Sequence, residues 1–139
     1  MPITFHLRPE AKLVISVHTG KTPDDELIAS YKSLHENNMF ETSMNRLMDP
    51  RQADITQRGK DVIRQFAELM QDQFKENGAN PKVAVVATRE SIFDLLRIFI
   101  VFMEVVPVDI AVFHSVEETL AWFGLPESFM EDINKDTRQ

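Results

Sequence analysis

The segment from Asn45 to Thr56, NRLMDPRQADIT, places charged and hydroxyl side chains where an apolar run gives way to a polar one. Asp49 and Arg51 are close enough in sequence to form an ion pair, which contributes about 0 to 1 kcal/mol when it is exposed. Thr56 is the only hydroxyl residue between positions 47 and 57. The segment joins a predicted strand to a predicted helix, so it is a candidate switch, a candidate catalytic loop or a plain connection.

Other residue types that support catalysis or metal binding do not form recognisable patterns. The four histidines lack the spacing of helical or hairpin metal pairs. Ser91 lacks the Gly-x-Ser-x-Gly context of a nucleophile elbow, and the scattered glycines form neither a P-loop nor a dinucleotide fingerprint. Backbone N–H groups near Arg89 could hold an anion, as those of any helix start could. We therefore expect no metal site, no cofactor and no enzymatic activity.

The most distinctive pattern is the apolar run from Ser91 to Val106. On a helix its three charged side chains fall in one narrow sector, and they are Asp94, Arg97 and Glu104. One part of the wide apolar side is sufficient to pack on a sheet, and it comprises Leu95, Ile98, Phe99, Phe102 and Val106. The remaining apolar side chains have the three-four-three spacing of coiled-coil contact positions, and they are Phe93, Leu96, Ile100 and Met103.

This surplus apolar surface has three open interpretations. Neighbouring helices or the C-terminal tail could cover it within the monomer, the tail acting through Phe129, Met130 and Ile133. A second copy could cover it in a two-fold homodimer, or it could line a groove for a hydrophobic small molecule. Burying four such side chains is worth on the order of 6 to 12 kcal/mol before ordering costs, whereas leaving them in water favours aggregation.

Hydrophobic periodicity predicts the elements that position these residues. Strands are predicted over 3–7, 13–18, 43–48, 82–88 and 108–113, and helices over 22–37, 56–77, 91–106 and 115–123. The short link containing Pro9 predicts a hairpin in which His6 lies opposite Ile15. Alternating strands and helices predict a mostly parallel sheet with right-handed crossovers. The predicted fold is α/β, with a mixed five-stranded sheet and four helices in the order β-β-α-β-α-β-α-β-α.

Capping signals mark several helix starts in the sequence. Thr22 is placed to cap the first helix, and Ser115 with Glu118 forms a capping box for the last. Asp54 or Thr56 could cap the second helix. Residues 1–124 are predicted to form a single domain, followed by a tail over 125–139 that could form a short docking helix.

Composition narrows the class of protein. The chain has 139 residues, of which 43% are apolar and 27% charged, and its net charge is -7. That charge makes duplex nucleic acid an unsuitable partner, because phosphate binding needs a concentrated basic face. The N-terminal residues do not resemble a signal peptide, and the apolar run is too short and too charged to span a bilayer. The absence of cysteine fits a reducing compartment, so the cytoplasm is the expected location.

The order of elements and several short sequence motifs resemble those of the STAS superfamily, the fold of the sporulation anti-sigma-factor antagonists. The likeness is greatest to a branch of small bacterial proteins with that fold, and the matching phrases lie at 84–87, 97–99, 112–113 and 121–122. Asp49 and Arg51 stand where that branch often has Asp-Leu-Arg, with Pro50 replacing the leucine. The resemblance covers most of the chain and implies a fold more than an activity.

The resemblance also bears on the segment from Asn45 to Thr56. In the antagonists the loop after the third strand carries a serine that a partner kinase phosphorylates. Met48-Asp49 matches their usual Met-Asp, but Pro50 and Arg51 stand where the serine is expected, so the serine switch is absent. Thr56 is the remaining candidate for phosphorylation, since added negative charge is favourable near a helix start. The alternative is that Asp54 or Thr56 only caps the helix.

Two functional hypotheses follow. The first is a non-catalytic STAS-like protein-interaction or regulatory module, homodimeric through the helix over 91–106. The second is a carrier of a hydrophobic small molecule such as a lipid, because the fold also resembles CRAL-TRIO domains. Both use the same interface or groove residues, Phe93, Leu96, Ile100 and Met103. The candidate switch residues are Asp49, Arg51 and Thr56.

Overall fold

Strands and helices alternate along the chain in the predicted order. The computed structural model describes residues 3–41, 43–54, 59–75, 81–106 and 108–129. The strands are β1 (Ile3–Arg8), β2 (Leu13–Gly20), β3 (Asn45–Ala53), β4 (Lys82–Val86) and β5 (Asp109–Phe113). The α-helices are α1 (Asp24–His35), α2 (Lys60–Lys75), α3 (Glu90–Met103) and α4 (Val116–Phe123). The predicted α/β fold class and element order are confirmed.

The five strands form one mixed sheet in the order β1-β2-β3-β4-β5. β1 and β2 form an antiparallel hairpin in which His6 lies opposite Ile15, as predicted. Its connection is a turn of 3-10 helix, Pro9–Ala11, which ends at Lys12 in the left-handed conformation with a φ of 51°. The other strand pairs are parallel. Consequently β1 and β5 are the two edges of the sheet.

Three helices cover one face of the sheet and one helix covers the other. Because consecutive strands are neighbours and parallel crossovers are right-handed, the crossover helices α1, α2 and α3 share a face. The larger core lies on that three-helix face and includes Val14, Tyr31, Phe66, Met70, Val83 and Phe99. The smaller core lies on the α4 face and includes Leu13, Ile15, Leu47, Val86 and Leu120. None of the described helices is long and apolar enough to cross a bilayer.

β3 is longer than the sequence predicts. It continues from Asn45 through Pro50 to Ala53, so Asp49 and Arg51 lie in a strand and not in a loop. Proline lacks an N–H group for a sheet ladder, but β4 pairs with β3 only over residues 46–48. On the β2 side, the pairing register shifts just beyond Asp49. Pro50 therefore sits where a missing donor is tolerated, and the strand continues past it.

The helix boundaries correct two of the predicted caps. The N-cap of α1 is Pro23, without a side-chain cap hydrogen bond, and not Thr22. α2 begins at Lys60, where the carbonyl of Gly59 accepts the Ile63 N–H at 3.4 Å. Asp54 is too far upstream to cap it, and Thr56 lies outside the described residues.

The boundaries of α4 and the start of the tail agree with the sequence pattern. The Ser115 hydroxyl accepts the backbone N–H of Glu118 at 3.2 Å, which confirms the predicted cap of α4. Leu125 and Phe129 pack against the core on the α4 face. Met130 and Ile133, the other tail residues with a predicted docking role, lie outside the described residues.

Candidate functional site

The buried row of α3 matches the predicted one only in part, at Phe99 and Val106. Ile92, Phe99 and Met103 are buried, at 0%, 6% and 1% exposure. Leu95, Ile98 and Phe102, which were assigned to the sheet, are only half-buried. Phe102 instead borders α2, where the Arg64 guanidinium lies 5.7 Å from its ring centre and the Gln71 side-chain amide donates to its carbonyl. The helix is thus turned about its axis relative to the prediction.

Met103 is the predicted interface residue that this rotation displaces. It lies in the larger core and is 1% exposed, so it borders the groove beside Ile100 but presents almost no surface of its own. The physical reason is that α2 packs along one side of α3 and covers apolar side chains that the sequence pattern assigned to the sheet. The row containing Met103 then faces the sheet in their place.

The other three predicted residues, Phe93, Leu96 and Ile100, are half-exposed. Two more apolar side chains are highly exposed, Val101 on α3 at 61% and Val105, two residues after the helix, at 70%. The sequence analysis missed both because they lie among the charged residues of the helix. These five residues are called the outer surface of α3 from here on, and a polar rim of Arg97 and Glu104 accompanies them.

The outer surface of α3 continues onto the edge strand β5. The ring of Phe93 lies 5.2 Å from the ring of His114, immediately after β5. Ile100 and Met103 line a groove of about 530 Å³ together with Val108, Ile110 and Trp122, and the charged residues Lys82, Glu104 and Asp109 border it. Apolar side chains of a helix, an edge strand and α4 therefore meet at one end of the sheet.

Asp49 and Arg51 form the predicted ion pair, but in a different environment. The Arg51 Nε donates to Asp49 Oδ1 at 2.8 Å, and Nη2 donates to Oδ2 at 2.9 Å. The Asp49 side chain is 0% exposed and that of Arg51 is 25% exposed. Hydrogen bonding to Asp49 raises the pKa of Arg51. The two side chains form a bidentate ion pair within β3. The structure does not place either residue in a switch loop.

A buried polar cluster on the three-helix face was not predicted. The Tyr31 hydroxyl donates to Ser16 Oγ at 3.1 Å and lies 2.9 Å from His18 Nε2. Burial raises the pKa of Tyr31 to about 12. The alternation of Ser16 and His18 with apolar residues in β2 was the one available signal, because it places them on one face of the sheet. The contact with Tyr31, in α1, could not be read from that pattern.

Arg46 is a second buried polar group that the sequence analysis did not predict. It is 2% exposed, and its guanidinium lies 4.6 Å from the ring centre of Phe74 and 5.1 Å from that of Phe40. It donates to Gln73 Oε1 at 3.4 Å. Burial lowers the pKa of Arg46 to about 10. Within the described part of the chain it has no carboxylate partner, so aromatic rings and an amide stabilise its charge.

A small apolar cavity lies near the carboxyl ends of β2, β3 and β4, between the sheet and the helices. Its volume is about 70 Å³, and its lining includes His18, Met48, Val85, Leu96 and Phe99. The predicted groove residue Leu96 thus contacts an internal space as well as the outside of the helix. Open α/β sheets commonly bind ligands beyond the carboxyl ends of their strands.

No group of three or more metal-ligating side chains occurs among the residues that the structure describes. Neither a protein-family model nor a curated protein matches this chain. Its function is therefore inferred from its own residues, above all the outer surface of α3 with β5, the buried polar cluster and the apolar cavity.

Proposed function

We propose that this chain is a non-catalytic, STAS-like protein-interaction module that forms a homodimer through the outer surface of α3. The observation that carries the proposal is the exposure of Val101 and Val105, 61% and 70%, beside the half-exposed Phe93, Leu96 and Ile100. The sheet and α2 have already covered the other apolar side chains of the helix. Several exposed apolar side chains on one helix of a folded protein are typical of an interaction site.

The charges along α3 favour a second copy as the partner. Arg97 borders the outer surface within the helix, where it is paired with Asp94 at 3.4 Å, and Glu104 borders it just after the helix end. In a two-fold dimer the same surface meets itself, and facing helices run antiparallel when the axis is perpendicular to them. Arg97 of each copy, while paired with its own Asp94, then lies toward Glu104 of the other. Such complementarity favours one orientation and one partner over others.

The polar groups of the described residues support a role other than catalysis. General acid–base groups work best with a pKa near the operating pH. Burial moves the pKa of Tyr31 to about 12, further from neutrality, and hydrogen bonding raises that of Arg51. Tyr31 and Arg51 are also engaged with neighbouring side chains of the same chain. Both side chains therefore stabilise the folded chain. That role is consistent with an interaction module.

The proposal is tested by placing a charge in the centre of the outer surface. Ile100→Glu should convert a dimer into a monomer, because association would bury an unpaired carboxylate. The matched control is Met39→Glu, since Met39 is 57% exposed and lies outside α3. Size-exclusion chromatography with light scattering at tens of micromolar measures both variants. A monomeric wild-type chain, or a dimer that survives Ile100→Glu, would refute the proposal.

The apolar cavity favours a second candidate function, the binding of a hydrophobic small molecule. At about 70 Å³ it is smaller than cavities that hold benzene, which measure about 150 Å³. A lipid chain would therefore require the helices to move away from the sheet around Leu96. Native mass spectrometry of gently purified protein tests this candidate. A co-purifying apolar molecule that is released on denaturation supports it, and a bare chain opposes it.

A further inference from the structure

We propose that the two copies pair through their β5 strands, antiparallel to one another, so that the sheet continues from one copy into the other. This inference rests on the proposed function, because it names the part of the interface that accompanies the outer surface of α3. It adds a backbone contact to the side-chain contact, and it predicts which amide groups the dimer protects.

The first step is the direction of the β5 backbone groups. The Asp109 N–H donates to the Pro81 carbonyl at 3.4 Å, and the Phe113 carbonyl accepts the Ala87 N–H at 2.8 Å. Residues 109 and 113 therefore point their backbone groups toward β4 and the segments beside it. Because these groups alternate along a strand, those of Ile110 and Val112 point away from β4. On that side β5 is the end of the sheet.

The second step is a comparison of the two edges. β1 ends at Arg8 and is followed at once by Pro9, and charge and proline are devices that protect an edge from pairing. From Ile110 to Phe113, β5 carries only apolar side chains, and all of them are half-exposed. Its one charge, Asp109, is at the start. Of the two edges, β5 is therefore the one that is suited to pairing.

The third step is the fit of β5 to itself. With a two-fold axis at Ala111, Ile110 lies opposite Val112 of the second copy, and the two residues exchange both backbone hydrogen bonds. Asp109 then faces Phe113 of the second copy, so the two acidic side chains do not meet. Like charges directly opposite would be destabilising. The strand is therefore self-complementary in this register.

The fourth step is the position of α3 relative to the paired strands. Side chains at 110 and 112 lie on the three-helix face, since Ile110 packs against the larger core. Paired strands lie about 4.8 Å apart, and packed helices about 8 to 10 Å apart. A helix lying above the edge of the sheet can therefore contact its symmetry mate when the edges pair. Phe93, Leu96 and Ile100 occupy that side of α3, near His114 and Ile110.

Hydrogen exchange of single amides tests the pairing directly. In the wild-type dimer the amides of Ile110 and Val112 should exchange at least about tenfold more slowly than in the Ile100→Glu monomer, because local protection follows hydrogen bonding. Val112→Pro removes one outward N–H and no bond to β4, so it should fold and be monomeric. Val112→Thr keeps the N–H and the branched side chain, and it should remain a dimer.

The outcomes separate this inference from the proposed function. A wild-type dimer whose Ile110 and Val112 amides exchange as fast as in the monomer overturns the pairing and leaves the α3 interface intact. A dimer that persists in a folded Val112→Pro variant does the same. A wild-type monomer overturns both proposals. If Val112→Pro does not fold, as judged by fluorescence of the single tryptophan, Trp122, the exchange of the wild-type amides alone decides.

Discussion

At the residue scale, burial decides what each polar side chain of this protein can do. Asp49 is 0% exposed and holds the Arg51 guanidinium by two bonds, so its carboxylate is committed to the fold. The Tyr31 hydroxyl is likewise engaged with Ser16 and His18 inside the protein. A buried polar group destabilises the fold when it has no hydrogen-bond partner, and it favours one particular packing arrangement when it has one. These groups therefore define the arrangement of β2, β3 and α1.

The unequal burial of Asp49 and Arg51 leads to a prediction about stability. Arg51→Ala should lower the free energy of unfolding by about 3 to 5 kcal/mol, because it leaves a buried carboxylate without its counter-charge. Asp49→Asn should cost less, because Arg51 is 25% exposed and its freed guanidinium can reach water. Urea unfolding followed by Trp122 fluorescence measures both. Equal losses of unfolding free energy for the two variants would contradict the expected difference between the buried carboxylate and the partly exposed guanidinium.

The pKa of Tyr31 leads to a prediction about alkaline pH. Burial raises it from 10.0 to about 12 in the folded protein, so folding favours the neutral phenol. The folded protein therefore keeps its full stability below pH 10 and loses about 3 kcal/mol as pH rises from 10 to 12, where the unfolded chain ionises more readily. The chain has a single tyrosine, so tyrosinate absorbance reports this group alone.

The control for Tyr31 is the same titration in concentrated urea, where the midpoint should return to about 10. Tyr31→Phe should lack the alkaline loss that this residue causes in the wild-type chain. A folded midpoint near 10 would show that the hydroxyl is open to solvent.

At the element scale, the rotation of α3 determines which of its side chains stabilise the fold and which face outward. Ile92, Phe99 and Met103 form the buried row, and α2 borders Phe102. The outer surface is what remains after two neighbours have packed against the helix. An interface on α3 therefore depends on where α2 lies as much as on the sequence of α3 itself.

A pair of alanine substitutions on α3 and just beyond it tests this orientation. Met103→Ala should lower the free energy of unfolding by about 2 to 5 kcal/mol, because it creates a cavity in the core. Val105→Ala should change it by less than about 0.5 kcal/mol in the monomer, since Val105 is 70% exposed. Urea unfolding in the Ile100→Glu background excludes effects of association. Similar costs at both positions would contradict the rotation.

At the scale of the whole molecule, the uneven placement of helices explains why one end of the sheet is available. Three crossover helices share a face, and among the described residues α4 with Leu125 and Phe129 covers the other. α3 is the last crossover helix, so α2 flanks it on one side and no further crossover helix follows. The apolar side chains of α3 and β5 thus meet at an edge. The Ile100→Glu test and the exchange of β5 amides address this edge directly.

Much of the fold was predictable because its determinants are local in sequence. The spacing of apolar residues identified every strand and helix, and the Ser115 cap and the opposition of His6 and Ile15 were also correct. Within the candidate site, Phe93, Leu96 and Ile100 are half-exposed, and their role at an interface or groove stays a prediction. Met103 was placed wrongly, and Val101 and Val105 were missed, because helical periodicity does not show which sector a neighbouring helix covers.

The sequence by itself determined the succession of elements, the hairpin and the parallel character of the sheet, because periodicity and chain connectivity set these features. Only the tertiary structure decided which side of α3 is buried, how long β3 is, and that Asp49, Arg46 and Tyr31 are buried. The physical reason is that burial depends on which side chains distant in sequence come to cover a residue. Tyr31 meets Ser16 across 15 positions and Arg46 meets Gln73 across 27, and no local pattern encodes such contacts.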